Sequence, residues 1–386
     1  MADLAELIAS RDTIVVVGPG GVGKTTTSAS LALHAARTGR KVLVLTVDPA
    51  RRLATSLGLD DLGATEQRVS PAHFAAAGVE LGTGALYAMM LDTKTTFDAL
   101  VRRHAGSPEA RDRILNNRFY KQTSTTLAGS QEYMAMEKLY ELRVERDYDL
   151  IVLDTPPAVN AADFFDAPER LNNFLDSGSL GMLLTGVRRA SRFGFGLFNS
   201  LLSRVMNRFI GAGTFVDLLD FLESFTSMFG GFKLRAKRVA AMLRAPSTGF
   251  VIVSSTEVVS LDEAVVLREQ LERTGMPFGA LLINRVRSPY LDPEGLEGLQ
   301  ARFADAAADL SGDASLSATA IEGVSEQVAR ACQDYAVLAE VDAARVEAVT
   351  RRLGADGEQV WTVPLFDGDV HDLESLAAFA DHVFAD

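Results

Sequence analysis

The sequence is poor in cysteine and in positive charge. Cys332 is the single cysteine among 386 residues, which excludes an intrachain disulfide, a CxxC motif and a cysteine-based metal cluster within one chain. That usage fits a reducing cytoplasm. Lys and Arg number 38 against 51 Asp and Glu, a net charge of −13. A field of that sign repels phosphate backbones, so sequence-independent nucleic-acid binding is not expected.

Long apolar runs are also missing. No window reaches the roughly 18 to 20 uninterrupted apolar residues that a membrane-spanning helix needs. The opening MADLAELIAS lacks a basic segment followed by an apolar stretch, so no signal peptide is visible. The composition, 47% hydrophobic and 23% charged, is that of a folded soluble protein. We therefore expect a cytoplasmic chain with a large buried core.

Short apolar runs alternate with helical patterns through much of the chain. The helix predicted at Lys24–Thr38 is stopped by Gly39. Apolar strands separated by helices are typical of a doubly wound, mostly parallel α/β sheet. In such sheets ligands bind at the carboxyl ends of the strands. The predicted strands are Thr13–Val17, Val42–Val47, Leu86–Leu91, Leu150–Leu153, Phe250–Val253, Ala280–Ile283 and Val360–Val363.

Three helical segments interrupt this rhythm. Residues 93–145 look helical and polar, whereas residues 164–245 form an apolar helical subdomain with 12 of the 21 phenylalanines. A third segment, 293–354, is rich in alanine and acidic residues and falls within 246–386, the predicted remainder of the sheet-containing domain. Repeats and low-complexity linkers are absent from the sequence, so we expect one composite domain over residues 1–386 with helical insertions.

The strongest motif is a glycine-rich loop between a predicted strand and a predicted helix. Residues 18–26 read GPGGVGKTT and satisfy the P-loop pattern G-x-x-x-x-G-K-[ST] in the required context. Glycines let consecutive N–H groups point at phosphate oxygens, and the following helix adds its positive N-terminus. We predict that Lys24 reaches the β- and γ-phosphates and that the Thr25 hydroxyl binds Mg²⁺. The loop thus predicts binding of a nucleoside triphosphate, through Gly20, Gly21, Val22, Gly23, Lys24, Thr25 and Thr26.

Two aspartates end predicted strands near this loop. Asp154, in LIVLDTPP, is placed to hold a water ligand of Mg²⁺. Asp48, in LTVDPARRL, is placed to orient or deprotonate the attacking water. The alternative for either aspartate is a helix N-cap or an ordinary loop residue.

Together these segments resemble the family of arsenite-pump-driving (ArsA) ATPases, which includes the ATPases that target tail-anchored membrane proteins. The matching segments, in order along the chain, are GPGGVGKTT, TVDPARRLATSLG, GSQEYMAMEKL, DTPPAVNAADFFDAP, LLINRV and VPLFDGDVHDLESL. The resemblance spans nearly the whole chain and is strongest to the actinobacterial branch, whose members often occur as paralogous pairs. It implies a dimeric ATP hydrolase with a P-loop NTPase fold.

The resemblance also implies roles for particular residues. Asp48 would activate water, and Asp154 would belong to the second switch and the Mg²⁺ shell. Asn284 would contact adenine, and the loop Pro364 to Phe366 would pack on the base. From the residues alone, Asn284 is a polar residue at a strand end, and Phe366 could equally belong to the core.

The sequence departs from the family pattern in three features. Pro19 stands where the family usually has a lysine that reaches the partner's ATP, and proline carries neither charge nor N–H. Arg51 and Arg52 follow the DPA segment, either as a solvated basic pair or as a replacement cation near the γ-phosphate. The chain has no CxxC for the zinc that clamps some family dimers and no cysteine set for arsenite. Zinc is therefore not expected.

The apolar helices leave several interpretations open. Leu197 to Phe209 repeats apolar residues at i, i+4, i+8 and i+12, and a second amphipathic helix follows at Phe215 to Phe232. These faces could bury against each other and the sheet, line a nucleotide-gated groove for an apolar client helix, or lie on a membrane surface.

The leading hypothesis is an ATPase in which ATP binding and hydrolysis close a homodimer, or a heterodimer with a paralogous ATPase. Closure would gate an apolar surface for a hydrophobic or membrane-protein client. The alternatives are a nucleotide-binding regulatory subunit of a heterodimer with a competent paralogue, and an energising subunit of a membrane transporter. In each case the chain would be cytoplasmic, with peripheral contact at the membrane as an option.

Overall fold

The computed structural model of the chain shows one central sheet with helices on both faces. It describes residues 4–48, 52–123, 130–156, 221, 228–289, 318–354 and 359–384. Arg51, the repeat from Leu197 to Phe209 and most of the phenylalanine-rich stretch 164–245 lie outside the described residues.

Eight strands form the sheet in the order β3-β4-β2-β5-β1-β6-β7-β8. Every neighbouring pair is parallel except β3 and β4. The strands are β1 Thr13–Val17, β2 Lys41–Thr46, β3 Gln67–Arg68, β4 Ala85–Met90, β5 Leu150–Asp154, β6 Thr248–Ser255, β7 Phe278–Val286 and β8 Val360–Pro364.

Helices of the described residues follow most of these strands. On the first part of the chain they are α1 Leu4–Ser10, α2 Lys24–Arg37, α3 Arg52–Ser56, α4 Pro71–Ala76, α5 Thr93–His104, α6 Pro108–Asn116, α7 Arg118–Thr123 and α8 Ser130–Glu145. Later ones are α9 Phe229–Leu243, α10 Val258–Thr274, α11 Ala318–Leu353 and α12 Leu373–Val383.

The strands read as nearly continuous apolar runs because helices cover both faces of the sheet. Along β1, Val15 and Val17 belong to one core cluster, while Ile14 and Val16 belong to the cluster on the other face. All five residues of β1 are buried. This alternation gives the molecule two apolar layers around one sheet, as in other doubly wound folds.

The predicted fold class is confirmed, with differences at the edges of elements. The helix after the P-loop ends at Arg37, and Gly39 takes the left-handed φ of 94° that ends it. The short antiparallel strand β3 was not predicted, because its two residues carry no apolar run. Helices α5 to α8 fall within 93–145, α9 lies in 164–245, and α11 lies in 293–354. The domain boundaries themselves stay a prediction.

Phe221 is the one phenylalanine before α9 in the 164–245 stretch whose surroundings are described. It is buried in a core cluster, and its ring stacks on Tyr120 with centroids 6.0 Å apart. At this position the phenylalanine serves packing against the α5–α7 region.

The sheet brings its polar strand ends together. Asp154, the last residue of β5, is in register with Val16 of β1 on one side and Thr46 of β2 on the other. The glycine loop leaves β1 at the same edge, so the loop, Asp48 and Asp154 meet at the carboxyl ends of three adjacent strands.

The edge strand β8 carries Trp361, the sole tryptophan of the sequence. It is in register with Leu282 of β7 and packs, partly buried, on the core. Trp361 therefore lies three residues before Pro364, where β8 ends.

Candidate nucleotide site

The glycine loop joins β1 to α2 with the backbone geometry that its glycines permit. Gly18 lies so close to β6 that a Cβ there would be 2.1 Å from the Val253 carbonyl oxygen. Gly23 has a left-handed φ of 97°, and a Cβ would be 2.3 Å from the Asn284 Nδ2. Glycine is thus required at both positions. Helix α2 begins at the next residue, Lys24, with its N-terminus directed at the loop.

Lys24 is held over the loop. Its Nζ donates a 2.7 Å hydrogen bond to the Pro19 carbonyl oxygen, and the side chain is buried. Burial lowers the pKa of the Lys24 ammonium, while the carboxylates of Asp154 and Asp48 raise it. The ammonium is therefore positioned within the field of both aspartates and beside the loop that would receive phosphates.

Asp154 is fully buried and surrounded by hydroxyl groups. Its Oδ2 accepts hydrogen bonds from Thr25 Oγ1 at 2.8 Å and from Thr46 Oγ1 at 2.9 Å. Ser28 Oγ donates to its Oδ1 at 3.4 Å. Burial raises the pKa of Asp154 to about 6, and the bonds from Thr25 and Thr46 oppose that rise. The carboxylate thus sits directly behind the Thr25 hydroxyl.

Thr46 connects the two aspartates. Besides donating to Asp154, its Oγ1 accepts a 3.2 Å hydrogen bond from the Asp48 backbone N–H. Asp48 itself is half-buried and lines the cavity next to the loop. A shift of the Asp48 backbone would therefore alter the Thr46 hydroxyl and, through it, the hydrogen bonding of Asp154.

A cavity with a volume of about 690 Å³ opens at this edge. Its size suits a nucleotide. It is lined by most of the predicted site, including Arg52 of α3. The predicted residues in its wall are Gly21, Gly23, Lys24, Thr25, Thr26, Asp48, Asn284, Pro364 and Phe366.

Three predicted residues lie elsewhere. Gly20 and Val22 line a neighbouring cavity, and their predicted contacts with phosphate stay a prediction. Asp154 lies behind Thr25 and is not in the wall of the nucleotide cavity. Its predicted contact with Mg²⁺ would require a water or a shift of the carboxylate.

Asn284 and Arg285 contact the loop from β7. Asn284 Nδ2 donates to the Val22 carbonyl oxygen at 2.9 Å, and Arg285 Nη1 donates to that of Gly21 at 3.2 Å. Arg285 has a left-handed φ of 60°, and the β7–β8 pairing shifts register between Ile283 and Val286. A register shift of this kind turns side chains out of the ladder, here toward the loop.

Phe366 borders the cavity and also packs on helix α12. Its ring lies 5.6 Å from that of Phe379, with the two rings tilted. Phe366 is half-buried, so both sequence interpretations, core residue and cavity wall, describe part of its position. The contacts predicted for Asn284, Pro364 and Phe366 with adenine stay predictions.

The donor set fits Mg²⁺. A threonine hydroxyl and a carboxylate 2.8 Å apart supply the hard oxygen atoms that this ion prefers. Thr25 would hold the ion directly, and Asp154 would hold it through water. The ion, when bound, would neutralise charge that develops on the phosphates during phosphoryl transfer.

The fold and the site define a class of protein. A doubly wound sheet, a P-loop between β1 and α2, and a carboxylate on the adjacent strand behind the P-loop threonine are the parts of a P-loop ATPase.

Comparisons with known proteins specify the family. The model of the family described as Anion-transporting ATPase (ArsA_ATPase) matches residues 11–301. The chain belongs to this family and is a P-loop ATP hydrolase. The resemblance inferred from the motifs is thereby confirmed.

The relatives agree with this assignment. The uncharacterized protein SCO2128 of Streptomyces coelicolor is 29% identical over 92% of this chain and 83% of its own length. ATPase GET3 of Malassezia globosa is 26% identical over 70% of this chain and 72% of its own. ATPase get3 of Aspergillus terreus is 27% identical over 72% and 73%.

Two further observations concern metals and membranes. Within the described ranges, no group of three or more His, Cys, Asp or Glu side chains is arranged to hold a metal ion. None of the helices described is long and apolar enough to cross a membrane.

Proposed function

We propose that this chain hydrolyses ATP with Asp48 as the residue that activates water. The observation that carries the proposal is the Thr46 hydroxyl, which bonds both the Asp48 backbone and the Asp154 carboxylate at the edge of the nucleotide cavity. The bond holds the Asp48 backbone, and Asp48 lines the cavity together with Lys24 and Thr25 of the loop. A carboxylate at that position is suited to accept a proton from water.

The chain's own residues would act as follows. Backbone N–H groups of the loop bind phosphate oxygens, and Lys24 exchanges its bond to the Pro19 carbonyl for one to the phosphates. Asp48 orients the water and accepts its proton as the oxygen attacks the γ-phosphorus. Asp154 keeps Thr25 in place through the 2.8 Å hydrogen bond.

Hydrolysis would be coupled to the apolar surface that the sequence predicts for residues 164–245, of which α9 is the described helix. Two contacts support a path from the site to that stretch. Gln131, at the start of α8, lies with its Nε2 3.4 Å from the Val47 carbonyl oxygen, next to Asp48. On the same helix, Glu137 pairs with Arg235 of α9 at 2.6 Å. A movement of the Asp48 segment would reach α9 through α8.

The relatives named ATPase GET3 support the ATPase activity. The family resemblance of the motifs supports a dimer that closes on ATP and opens or shuts this surface. The ligand of the surface would be a hydrophobic or membrane-protein client, and the partner would be a second copy or a paralogous ATPase. The protein would act in the cytoplasm, with peripheral contact at the membrane when it delivers the client.

Asp48→Asn tests the catalytic proposal. The asparagine keeps the size of the side chain but cannot accept a proton, so turnover should fall about 100-fold or more while ATP binding persists. The matched control is Asp60→Asn, an exposed carboxylate beyond α3. Equal turnover in wild type and Asp48→Asn, measured as phosphate produced, would reject Asp48 as the catalytic base.

Client coupling needs a second measurement. A fluorescent peptide of about 20 apolar residues, the length of a membrane span, should bind with different affinity in ATP, ADP and nucleotide-free protein. In Asp48→Asn, which should hydrolyse ATP only slowly, the peptide affinity measured with ATP should persist for many minutes. Equal peptide affinity with ATP, with ADP and without nucleotide would contradict the coupling, but it would not contradict ATP hydrolysis.

A regulatory subunit is the second candidate, and Pro19 favours it. Pro19 is buried, and its carbonyl holds Lys24, whereas the family's usual lysine at this position would project a charge. In that case a paralogous partner would hydrolyse ATP. If Asp48→Asn in this chain alone leaves the turnover of the heterodimer unchanged, the regulatory role is favoured.

The family description, Anion-transporting ATPase, supports a third candidate, an energising subunit docked on a membrane transporter. Stable co-purification with an integral membrane protein would distinguish it from the client-targeting role.

A further inference from the structure

A second cavity lies on the other side of the phosphate loop. It has a volume of about 360 Å³, and Gly20, Gly21 and Val22 of the loop form one of its walls. Three arginines, Arg285, Arg287 and Arg345, also line it, and we call it the arginine cavity. The loop is therefore a shared partition between this cavity and the nucleotide cavity.

Each arginine is fixed by an oxygen acceptor. Arg345 Nη1 donates to the Thr256 carbonyl oxygen at 3.1 Å, and Arg287 Nη1 donates to Asp342 Oδ2 at 3.0 Å. Arg285 Nη1 bonds the Gly21 carbonyl oxygen, as described above. A guanidinium has five N–H donors, so one such bond orients the group without using up its donors. The three side chains are thus held around one space.

The remaining wall of the arginine cavity also favours an anion. The side chains of Ser255, Thr256 and Ser260 supply hydroxyls, and the 17-residue helix α10 begins there. Its N-cap residue, Glu257, makes no side-chain capping bond, so the helix N-terminus is not closed by its own carboxylate.

The local charge differs from that of the chain. The three arginines face Glu257 in the wall and Asp342, which is buried beside Arg287. The balance in this region is net positive, in a protein whose net charge is −13. Arginine forks and hydroxyls around a small space are chemistry for a phosphate-type oxyanion.

Arg285 belongs to both cavities. It lines the nucleotide cavity and the arginine cavity, and it holds the left-handed φ of 60° at the point where β7 and β8 change register. That conformation is unfavourable for a non-glycine residue. Backbone strain of this kind persists where the surrounding structure requires the side chain at one place, here at the edge of the partition.

We propose that the arginine cavity binds inorganic phosphate and receives the phosphate that hydrolysis releases in the neighbouring cavity. The transfer of released phosphate into this cavity rests on the proposed function. In the hydrolysis, the water oxygen bonds to the γ-phosphorus, the bond to the β–γ bridging oxygen breaks, and ADP keeps that electron pair. The phosphate leaves with the water oxygen, one proton passes through Asp48 to solvent, and Arg285 is positioned to contact the departing anion from either side.

The binding half is tested on protein saturated with a non-hydrolysable ATP analogue and Mg²⁺, so that the γ-phosphate position is filled. Isothermal titration with inorganic phosphate should then give one site per chain. Arg345→Gln should weaken phosphate about tenfold, as expected for loss of one charge-assisted hydrogen bond. Arg345→Lys, which keeps the charge, should weaken it less.

The matched control is Arg352→Gln. Arg352 lies on α11 like Arg345 and also reaches the α10 side, through Asp262, but it does not line the cavity. The phosphate affinity of Arg352→Gln should equal that of wild type. Thermal unfolding of each variant checks that the fold is kept. No phosphate binding with the analogue bound, or equal affinity in Arg345→Gln and wild type, would overturn the proposal.

The source of the phosphate is tested by single-turnover hydrolysis with a fluorescent phosphate sensor and a parallel acid quench. Arg345→Gln should release phosphate about tenfold sooner after cleavage, with the cleavage rate unchanged. Equal release times would overturn the transfer from the nucleotide cavity. If the protein binds phosphate but does not cleave ATP, the proposed function fails, the transfer fails with it, and the site serves phosphate from solution.

Discussion

The Thr25 hydroxyl donates a 2.8 Å hydrogen bond to Asp154, a residue 129 positions further along the chain. The bond ties the first turn of α2 to the end of β5, and the carboxylate that accepts it is fully buried. The position of Thr25, the predicted Mg²⁺ ligand, thus depends on β5, which follows helices α5 to α8 in the sequence.

Asp154→Asn should lower Mg²⁺-dependent ATP hydrolysis about 100-fold or more, because one preorganised charge near the reacting phosphates is lost. The amide also cannot accept hydrogen bonds from Thr25 and Thr46 on the same atom if its nitrogen takes that place. Steady-state turnover at several Mg²⁺ concentrations measures the effect. Asp149→Asn is the control, since Asp149 lies just before the other end of β5 and bonds the Lys41 backbone. A loss of equal size in that variant would point to the strand and not to the site.

Lys24→Ala should remove the stabilisation that ATP and Mg²⁺ give to the folded protein. A ligand that binds only the native state raises the unfolding temperature by mass action, and the ammonium is the cation of the phosphate loop. Without nucleotide, Lys24→Ala should unfold at a temperature close to that of wild type. The variant loses the attraction of the ammonium to Asp154 and Asp48, but it also removes the cost of burying that charge. The measurement is thermal unfolding with and without ATP and Mg²⁺, with Lys237→Ala on the exposed side of α9 as control. An undiminished ATP shift in Lys24→Ala would contradict the assignment.

Gly23→Ala and Gly21→Ala should differ, although both residues have left-handed φ values, 97° and 79°. A Cβ at Gly23 would meet Asn284 Nδ2 at 2.3 Å, whereas none of the described atoms lies within 4 Å of one at Gly21. Alanine in this conformation costs about 1–2 kcal/mol at either site. Overpacking adds about 1–3 kcal/mol at Gly23 alone. Urea denaturation gives both free energies, and equal values would show that Asn284 moves aside freely.

Glu137 should make stability depend on pH. Burial raises the pKa of this carboxyl from 4.5 to about 7, while Arg235 lowers it. The native state therefore binds a proton that the unfolded state has released, and the free energy of unfolding should fall as pH rises from about 4.5 to about 7 and then level off.

Glu137→Gln removes this titration. The difference in unfolding free energy between wild type and Glu137→Gln should decrease by about 1–3 kcal/mol between pH 5 and pH 8. Glu145→Gln, at the exposed end of the same helix, should show no such trend. A flat difference for Glu137→Gln would mean that the carboxyl stays ionised throughout.

Arg52 lines the nucleotide cavity with an exposed side chain at the start of α3. If it supplies a cation near the γ-phosphate, Arg52→Ala should lower turnover about tenfold, the effect of about 1.4 kcal/mol in the barrier. Arg51→Ala is measured beside it, and Arg113→Ala on α6 is the control. Unchanged rates in both variants would remove the arginine hypothesis.

The residues of the site that could be predicted share one property: each follows directly from a local pattern. Lys24 and Thr25 belong to a fixed motif, and Asp48 and Asp154 end apolar runs. Thr46 could not be distinguished in this way, since a threonine in a strand is common for its β-branched shape alone. Its hydrogen bond to Asp154 depends on β2 and β5 being neighbours.

Arg285 was missed for a related reason. In LLINRV it reads as a polar residue leaving a strand, and nothing local indicates the shift in the β7–β8 register or the positive φ. Gly20 and Val22 line the arginine cavity, which the motif does not indicate, and their predicted contacts with phosphate stay a prediction. Which side of a loop faces which cavity is decided by the strands that pack beside it.

Trp361 gives the protein a spectroscopic reporter that needs no label. It is the only indole in the sequence, so the whole tryptophan emission comes from the edge strand that ends at the nucleotide cavity. Emission of a half-buried indole responds to the polarity around it, and its neighbours on β8 include the segment expected to pack on the base. A rapid-mixing record of that emission would time the arrival and departure of adenine in the unmodified chain.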